Sequence, residues 1–541
     1  MRKSATRFGA GLLAAMLLLS GCAGDGRKTA NTGSKGTVEV SKPNEFPIVE
    51  EPYELAIFMQ KPTGIENLET NTFTKTYEEK TNVKVKWDLI SGDVRQAINI
   101  KLASDDYSDV FLGFGFAASE QSAYYDQGVF IELSDVVNEH GYYIKKMFEE
   151  HPDAEKALRH TKDMLLGLSS VSQGYEGQAP YKMWVYKPWM DKLGLKMPET
   201  TEDFYQILKA FKEQDPNGNG KADEVPLAAR NNRGGEIGLD MFIMNCFLPW
   251  GKFGFNNIDG KAVFAPIQDE AREGIRYMRK LYEEGLIHTD SFVMDRARVT
   301  ALGENETPIL GAATGRWTTQ FTAAGTSERM NEFVAIPPLK GSTGHRATPS
   351  STGYGGTTSF SITTDCEDPA VALKWVDWFY SDEAWWAKAT PGYRPAKEGE
   401  IGTDGTQAVV AIEPSDETFD GIQNTRWNFV PGYSDMDKAV KVKDYTIDAT
   451  RRQHSYEAYK LYEPYHLNDV VIWDFPMPSE VAEEYLEFRA TFVNAIDAGM
   501  VGFIIGEKDI DTEWDAYVQN FYDLGLERYT EIVQNWIDTL D

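Results

Sequence analysis

Five stretches decide the fold: YELAIFM (Tyr53–Met59), NLETNTFTKTYEEK (Asn67–Lys80), VKVKWDLI (Val83–Ile90), VRQAINIKLA (Val94–Ala103) and DVFLGF (Asp109–Phe114). The first is an apolar run of strand length. The third alternates strictly, with Val83, Val85, Trp87 and Leu89 on one face, the period of a strand. Asn67–Lys80 reads as a helix, and Val94–Ala103 carries Val94, Ala97, Ile98 and Leu102 as a helical stripe. Strand-helix-strand-helix-strand at this spacing predicts a parallel sheet with right-handed crossovers. Ligands of such sheets sit beyond the carboxyl ends of the strands, which here are the loops Gln60–Glu66 and Gly113–Ser119.

Downstream, Lys182–Pro188 reads as a strand. Thr201–Glu213 reads as a helix with Thr200 and Asp203 at capping-box spacing and a stripe of Phe204, Ile207, Leu208 and Phe211. Glu270–Glu284 is a helix stopped by Gly285, Pro308–Ala313 a buried strand, Phe333–Pro338 extended and Ser359–Thr363 a strand. Asp368 caps a helix with Pro369 at its first position, carrying Ala372, Leu373, Trp375, Val376 and Phe379. Residues 400–475 have no readable period, and Ser479–Ile496 and Thr512–Leu540 are helical.

Upstream, Arg2, Lys3 and Arg7 precede an uncharged run, Phe8–Leu19, too short to span a bilayer. These are the flanks of a secretory signal peptide. The run ends in Leu19-Ser20-Gly21-Cys22, which resembles the bacterial lipobox, in which the Cys thiol is diacylated and the chain is cleaved before it. An ordinary signal peptide with an incidental Cys is the alternative. Lipidation at Cys22 implies palmitate-type chains and a place on the extracytoplasmic face of the cell membrane without a spanning helix. Residues 23–50 are polar and without hydrophobic period and read as a flexible tether.

The chain has 541 residues with 54 basic and 84 acidic side chains. Removing residues 1–21 takes Arg2, Lys3 and Arg7 and leaves 51 basic against 84 acidic, a net charge of −33. That sign opposes nucleic acid and anionic lipid as partners and suits a soluble exported protein. Besides Cys22 there are Cys246 and Cys366, which either pair in an oxidising compartment or stay as buried thiols. About 490 residues of folded chain exceed one core, so two lobes are expected.

Ordered segments carry a family resemblance. Leu102-Ala103-Ser104 through Ser108-Asp109-Val110, Gly128–Ser134, Pro180–Leu195, Pro198–Phe204, Gly311–Trp317 and Ala372–Ser381 together resemble the extracellular solute-binding proteins of the maltodextrin-binding superfamily. Ser108 stands where Pro is usual there, and Thr201 where Trp is common. The resemblance covers about residues 50–400. It implies an α/β, two-lobed periplasmic-binding-protein type II fold with a hinge between lobes, closing on a ligand. The expected lobes are 51–182 plus about 336–400, and 183–335 plus about 401–541. The implied function is the receptor of an ABC importer, a monomer that hands a carbohydrate, of oligosaccharide size, to a membrane permease.

The sharpest local motif runs from Asp215 to Glu224. Oxygen-bearing side chains at alternate positions followed by Gly suit calcium, a hard cation that takes six to eight oxygens. Asp215, Asn217 and Asn219 give side-chain oxygens, Lys221 a carbonyl, and Asp223 and Glu224 close the shell, since position twelve is Pro226. This compact form resembles the calcium loop of alginate-type members of the family, and its role would be structural. A bare Asn/Gly turn is the alternative. For ligand contact, Trp317 and Arg316 follow a buried strand. Trp250, Tyr354, Trp427 and Trp473 lie in Gly/Pro-rich stretches, and Arg394 offers a guanidinium fork. Trp375, Trp378, Trp514 and Trp536 fall in helical stripes and read as packing. No Gly-x-Ser-x-Gly, no phosphate loop and no His metal spacing is present. An enzyme is therefore not expected. A lipid-anchored glycoside hydrolase and a ligand sensor without transport are the rival readings.

Overall fold

The computed structural model describes residues 36–541 apart from 63–64, 160–163, 174–178, 236–237, 324–327, 351–357, 389–392, 403–404, 413–424, 428, 442–446, 468–469, 474, 476–478 and 540–541. Cys22, the expected signal peptide and Tyr354 lie outside the described residues.

In chain order, the elements used below begin with β1 (Tyr53–Gln60), α1 (Thr72–Thr81), β2 (Val83–Ile90), α2 (Val94–Ser104), β3 (Val110–Phe116), α3 (Ala118–Asp126) and β4 (Val171–Gln173). They continue with β5 (Met183–Tyr186), α4 (Thr201–Glu213), α5 (Asp269–Glu283), β6 (Ala312–Thr314), β7 (Phe333–Ala335), β8 (Thr348–Pro349), β9 (Thr358–Ile362) and α6 (Pro369–Asp377). The rest are β10 (Tyr433–Asp435), α7 (Ile447–Tyr462), β11 (His466–Leu467), α8 (Ser479–Ile505), α9 (Trp514–Asp523) and α10 (Leu526–Ile537).

The first sheet has the order β9-β3-β1-β2. β1 runs parallel to β2, from Tyr53↔Val83 to Gln60↔Ile90, and parallel to β3, while β9 is antiparallel. The alternation read from the sequence therefore makes the parallel sheet it predicts. The helix expected from Asn67 starts later because the Asn71 side chain accepts from the Phe73 and Thr74 amides and caps it. Residues 67–70 are instead tied as a turn by Asn67 Oδ1. The capping box of α4 forms as read, with Thr200 and Asp203 bonded reciprocally.

The second sheet has the order β6-β5-β7, all antiparallel. The segment 225–228 lies parallel along β6, bridging Val225↔Leu310 and Ala228↔Ala313. The expected terminal helix 512–540 is broken into α9 and α10 at Gly525, whose φ of 96° is left-handed. α8 is apolar enough over Val481–Ile505 to cross a membrane by length and composition. Phe492, Ile496, Met500, Phe503 and Ile504 are nevertheless buried against the second core, so it packs as a core helix.

Two large hydrophobic cores stand apart, and the chain alternates between them. Residues from Ile48 to Val171 and from Phe360 to Tyr433 pack in the first; those from Ala179 to Leu339 and from Ala458 to Ile537 pack in the second. The chain therefore passes between cores three times, between Val171 and Ala179, between Leu339 and Phe360, and between Tyr433 and Ala458. This departs from the expected division in two places. Residues 401–541 do not all join the second lobe, because Trp427, Val430 and Tyr433 pack against Phe73, Trp375 and Phe379 of the first core. Likewise Ile336 and Leu339, expected in the first, belong to the second core.

The expected tether 22–50 is also shorter. Ile48 and Val49 are buried in the first core, with Val38, Val40 and Phe46 packed on it. The Ile48 amide donates to the Thr81 carbonyl, the Val38 amide to Asp368, and Lys374 Nζ to the Lys42 carbonyl. A polar, period-free segment can still dock when its few apolar residues find a formed core. Cys246 and Cys366 are free, buried and in different cores, so they do not pair.

Candidate functional site

Topology brings both sheets' functional edges to the crossings. In the first sheet β1, β2 and β3 all end at the edge where β9 begins, since Thr358 pairs with Phe116. β9 follows directly on the second crossing. Gly113 and Gly115, with φ of 79° and 64°, turn the end of β3 in a conformation that L residues rarely take. In the second sheet, β6 and 225–228 end at one edge, and antiparallel β5 begins there. That edge collects Tyr181-Lys182, Gly315-Arg316-Trp317 and Arg230-Asn231-Asn232-Arg233. The first crossing enters just before Tyr181, so the carboxyl edge of the second sheet meets the chain coming from the first.

The contacts are specific. The Gly315 amide donates to the Lys182 carbonyl, and Trp184 Nε1 to the Gly315 carbonyl at 2.7 Å. Lys182, fully buried, reaches the Arg316 carbonyl with Nζ at 3.3 Å. The Arg316 guanidinium lies 5.0 Å over the half-buried Trp317 ring. Trp473 stacks on Tyr181 with centroids 6.1 Å apart at 15°. Beside them, β8 pairs with β11, Thr348 opposite His466. Thr348 Oγ1 and His466 Nε2 are buried without hydrogen-bond partners among the described residues. Burial lowers the His466 pKa, with Lys182 adding to this and Glu463 opposing it. Planar rings, a guanidinium and buried polar atoms on one edge suit a polyhydroxylated ligand, whose C–H faces stack while its hydroxyls bond.

Of the residues expected to meet ligand, Trp317, Arg316 and Trp473 come together through Lys182 and Tyr181. Trp250 and Trp427 do not join them. Trp250 is fully buried in the second core and donates Nε1 to Asp240; Trp427 is buried in the first and donates to Thr74 Oγ1 at 2.9 Å. Neither has a face left for a ligand. Arg394 sits on the small sheet of 393–395, 410–412 and 439–441, its fork bound to both oxygens of Glu400 at 2.8 Å. That pair holds Glu400 down to about 2. Tyr181, Lys182, Thr348 and His466 were not read as site residues. A lysine inside the apolar run Tyr181–Tyr186 was the available signal for one of them.

The loop 215–224 leaves the end of α4. Asp215, with a positive φ of 44°, accepts from the Gly218, Asn219 and Gly220 amides, and Asn219 Oδ1 accepts from Lys221 N. Asn217 and Asn219 donate their amides to Asp223 and hold its carboxyl low. Glu224 Oε1 is buried with no partner among the described residues; burial, then the charges of Asp215 and Asp223, raise its pKa. An unpartnered buried carboxylate oxygen beside two further carboxylates fits a cation, and the donors are all hard oxygens. No group of three or more His, Cys, Asp or Glu able to hold a metal occurs among the described residues, so the set depends on Asn and carbonyl oxygens. A bound cation would replace the amide bonds to Asp223.

The bacterial extracellular solute-binding protein model matches residues 68–384. The chain belongs to that family. It is 24% identical over 550 residues to the fructooligosaccharide ABC transporter substrate-binding protein FusA of Streptococcus pneumoniae serotype 4, covering 94% of this chain and 95% of FusA. It is 27% identical over 525 residues to the lipoprotein LipO of Bacillus subtilis strain 168, covering 92% and 91%. The solved structure of an EF-hand mutant of FusA in complex with fructo-nystose superposes with a TM-score of 0.70 at 21% identity, covering 90% of this chain and 99% of that one. The solute-binding protein fold is thereby shared along almost the whole chain.

Proposed function

We propose that this family member is the lipid-anchored, extracytoplasmic receptor of an ABC importer. It captures an oligosaccharide between its two lobes and presents it, as a monomer, to a membrane permease. The observation that carries this reading is the common sheet edge, where Trp473 on Tyr181 and Trp317 under Arg316 flank the buried Lys182 beside the inter-core crossings. FusA, by its name, takes fructooligosaccharides, and LipO is a lipoprotein. Hinge closure about the three crossings needs ligand contacts from both lobes, since only differential affinity shifts such an equilibrium. The rings and Arg316 contribute from the second lobe, and the β1 and β3 ends from the first. Calcium held by Asp215, Asn217, Asn219, the Lys221 carbonyl, Asp223 and Glu224 would brace the turn after α4. Binding without turnover is the expected behaviour. The test is isothermal titration with neutral and acidic oligosaccharides, with product analysis of the same samples. Micromolar or tighter binding of a saccharide left intact supports the reading. Hydrolysis would favour a glycosidase instead, and silence across all sugars would remove the carbohydrate.

A further inference from the structure

Beside the aromatic platform, the segment following 225–229 lines a pocket with Arg230, Asn231, Asn232, Arg233, Asp240 and Asp497. Its floor is apolar, from Met278 of α5 and Met500 of α8. The parallel register Ala228↔Ala313 sets Arg230 next to the end of β6, from which Arg316 and Trp317 emerge. Two guanidinium groups face two carboxylates in this pocket, and the Arg233 charge acts on Asp240, but the hydrogen-bond donors and acceptors do not pair off. Asp240 already accepts from the Gly234 amide and Trp250 Nε1. Asp497 stands 3.6 Å from Arg233 Nε, and Arg233 Nη2 donates to the Lys252 carbonyl. The Arg233 side chain is 6% exposed, yet its Nη1 has no partner among the described residues. Arg230 makes no ion pair or side-chain hydrogen bond among the described residues. Burial and the neighbouring Arg296 both disfavour its charge, which Asp295 only partly offsets. The side-chain amides of Asn231 and Asn232 are likewise unengaged among the described residues. Donors therefore exceed acceptors in a chain whose net charge is −30. A buried donor left unsatisfied is costly, and a guanidinium is most strongly satisfied by an oxyanion.

We propose that this pocket receives an anionic group, a carboxylate or a sulfate ester, carried by the saccharide in the cleft, with Arg230 and Arg233 as the residues that select it. This rests on the oligosaccharide reading of the cleft and narrows it to acidic sugars. The test is titration of the full chain in detergent with trigalacturonate, its methyl ester, a sulfated galactose oligomer and its desulfated form. Neutral fructan and galactan oligomers serve as controls. The acid is expected to bind at least about tenfold tighter than its ester, or the sulfated oligomer than its desulfated form, the usual strength of a charge-assisted bond. Which pair shows the difference identifies the anion. Arg230→Gln should erase that difference with its melting temperature unchanged, and Arg230→Lys should restore part of it. Equal affinities within both pairs would overturn the proposal, as would binding of neutral sugars alone, which leaves the cleft reading standing. Failure of every saccharide to bind would remove both.

Discussion

Ile48→Ala tests whether residues 36–50 are tether or structure. In a tether this substitution costs nothing. Here Ile48 is 0% exposed and packs in the first core, and its amide is pinned to the Thr81 carbonyl at 2.9 Å. Truncating a fully buried isoleucine removes the transfer energy of its lost carbons and leaves a cavity, about 2–5 kcal/mol in sum. The site can collapse only partly, because neighbouring Val49 is itself buried and the Asn82 side chain holds the Val49 and Glu50 carbonyls at 3.2 and 2.7 Å. The assay is urea unfolding followed by tryptophan fluorescence, which reports the first core through Trp375, Trp378 and Trp427. Glu39→Ala, an exposed neighbour, is the control and should stay within about 0.5 kcal/mol. An Ile48→Ala midpoint indistinguishable from the control would refute the packing of this segment. The practical corollary is that a soluble form should begin at or before Gly36. Starting at residue 51 would strip the Val38 and Lys42 contacts from Asp368 and Lys374, both buried.

Three further outcomes are expected. Trp317→Ala and Trp473→Ala should weaken saccharide binding by about tenfold or more, the usual loss when an aromatic anchor is truncated, while leaving the fold intact. Trp250→Ala and Trp427→Ala should instead cost about 3–5 kcal/mol of stability; calorimetry beside melting curves separates the two classes. Calcium at 100 times its dissociation constant should add about 2.7 kcal/mol, seen as a higher melting temperature that chelator reverses and Glu224→Gln abolishes. A melting temperature indifferent to calcium would count against the loop as a metal site. Burial pushes the Cys246 thiol up to about 12 and the Cys366 thiol higher still. A form lacking Cys22 should therefore show no thiol reactive toward Ellman's reagent at pH 8 until denatured, and then two. Because Cys246 ionises more easily unfolded, its contribution to stability is complete below the usual thiol range and declines as pH rises from there toward 12.

How legible this protein was follows from the range over which each feature is specified. β1, β2 and α4 were readable because period and caps are local: Val83–Ile90 alternates, and Thr200 and Asp203 stand three residues apart. The hydrogen-bonded turn at 215–224 was readable for the same reason. Trp250 and Trp427 were misread because a Gly/Pro-rich neighbourhood says that a segment turns, and says nothing of what lies over it. Trp427 is enclosed by Phe73, Tyr77, Trp375 and Phe379, residues 48 to 354 positions away. The small sheet joining 393–395, 410–412 and 439–441 consists of three-residue strands, too short for any period to register. Residues 36–50 failed in the other direction, since their few apolar side chains carry no pattern until a core exists to receive them.

The same distinction bears on the cleft. Tyr181, Arg316 and Trp473 are far apart in sequence, and only pairing places them together: β5 begins where β6 ends, and Trp473 returns after the third crossing. Every residue proposed to touch ligand in the second lobe therefore lies at the end of a strand or beside a crossing segment. This geometry has a mechanical consequence. A ligand that bonds Arg316 or Arg230 pulls on backbone that continues within a few residues into β6 or 225–228, both braced by the second core. Rigid strand ends transmit that pull to the lobe as a unit, and the crossings are the segments left to absorb the rotation. Substitutions in the crossings, Thr348 apart, should thus alter closure without touching ligand, and their signature would be a changed affinity for every saccharide by the same factor. A change confined to acidic sugars would place the effect at Arg230 and Arg233 instead.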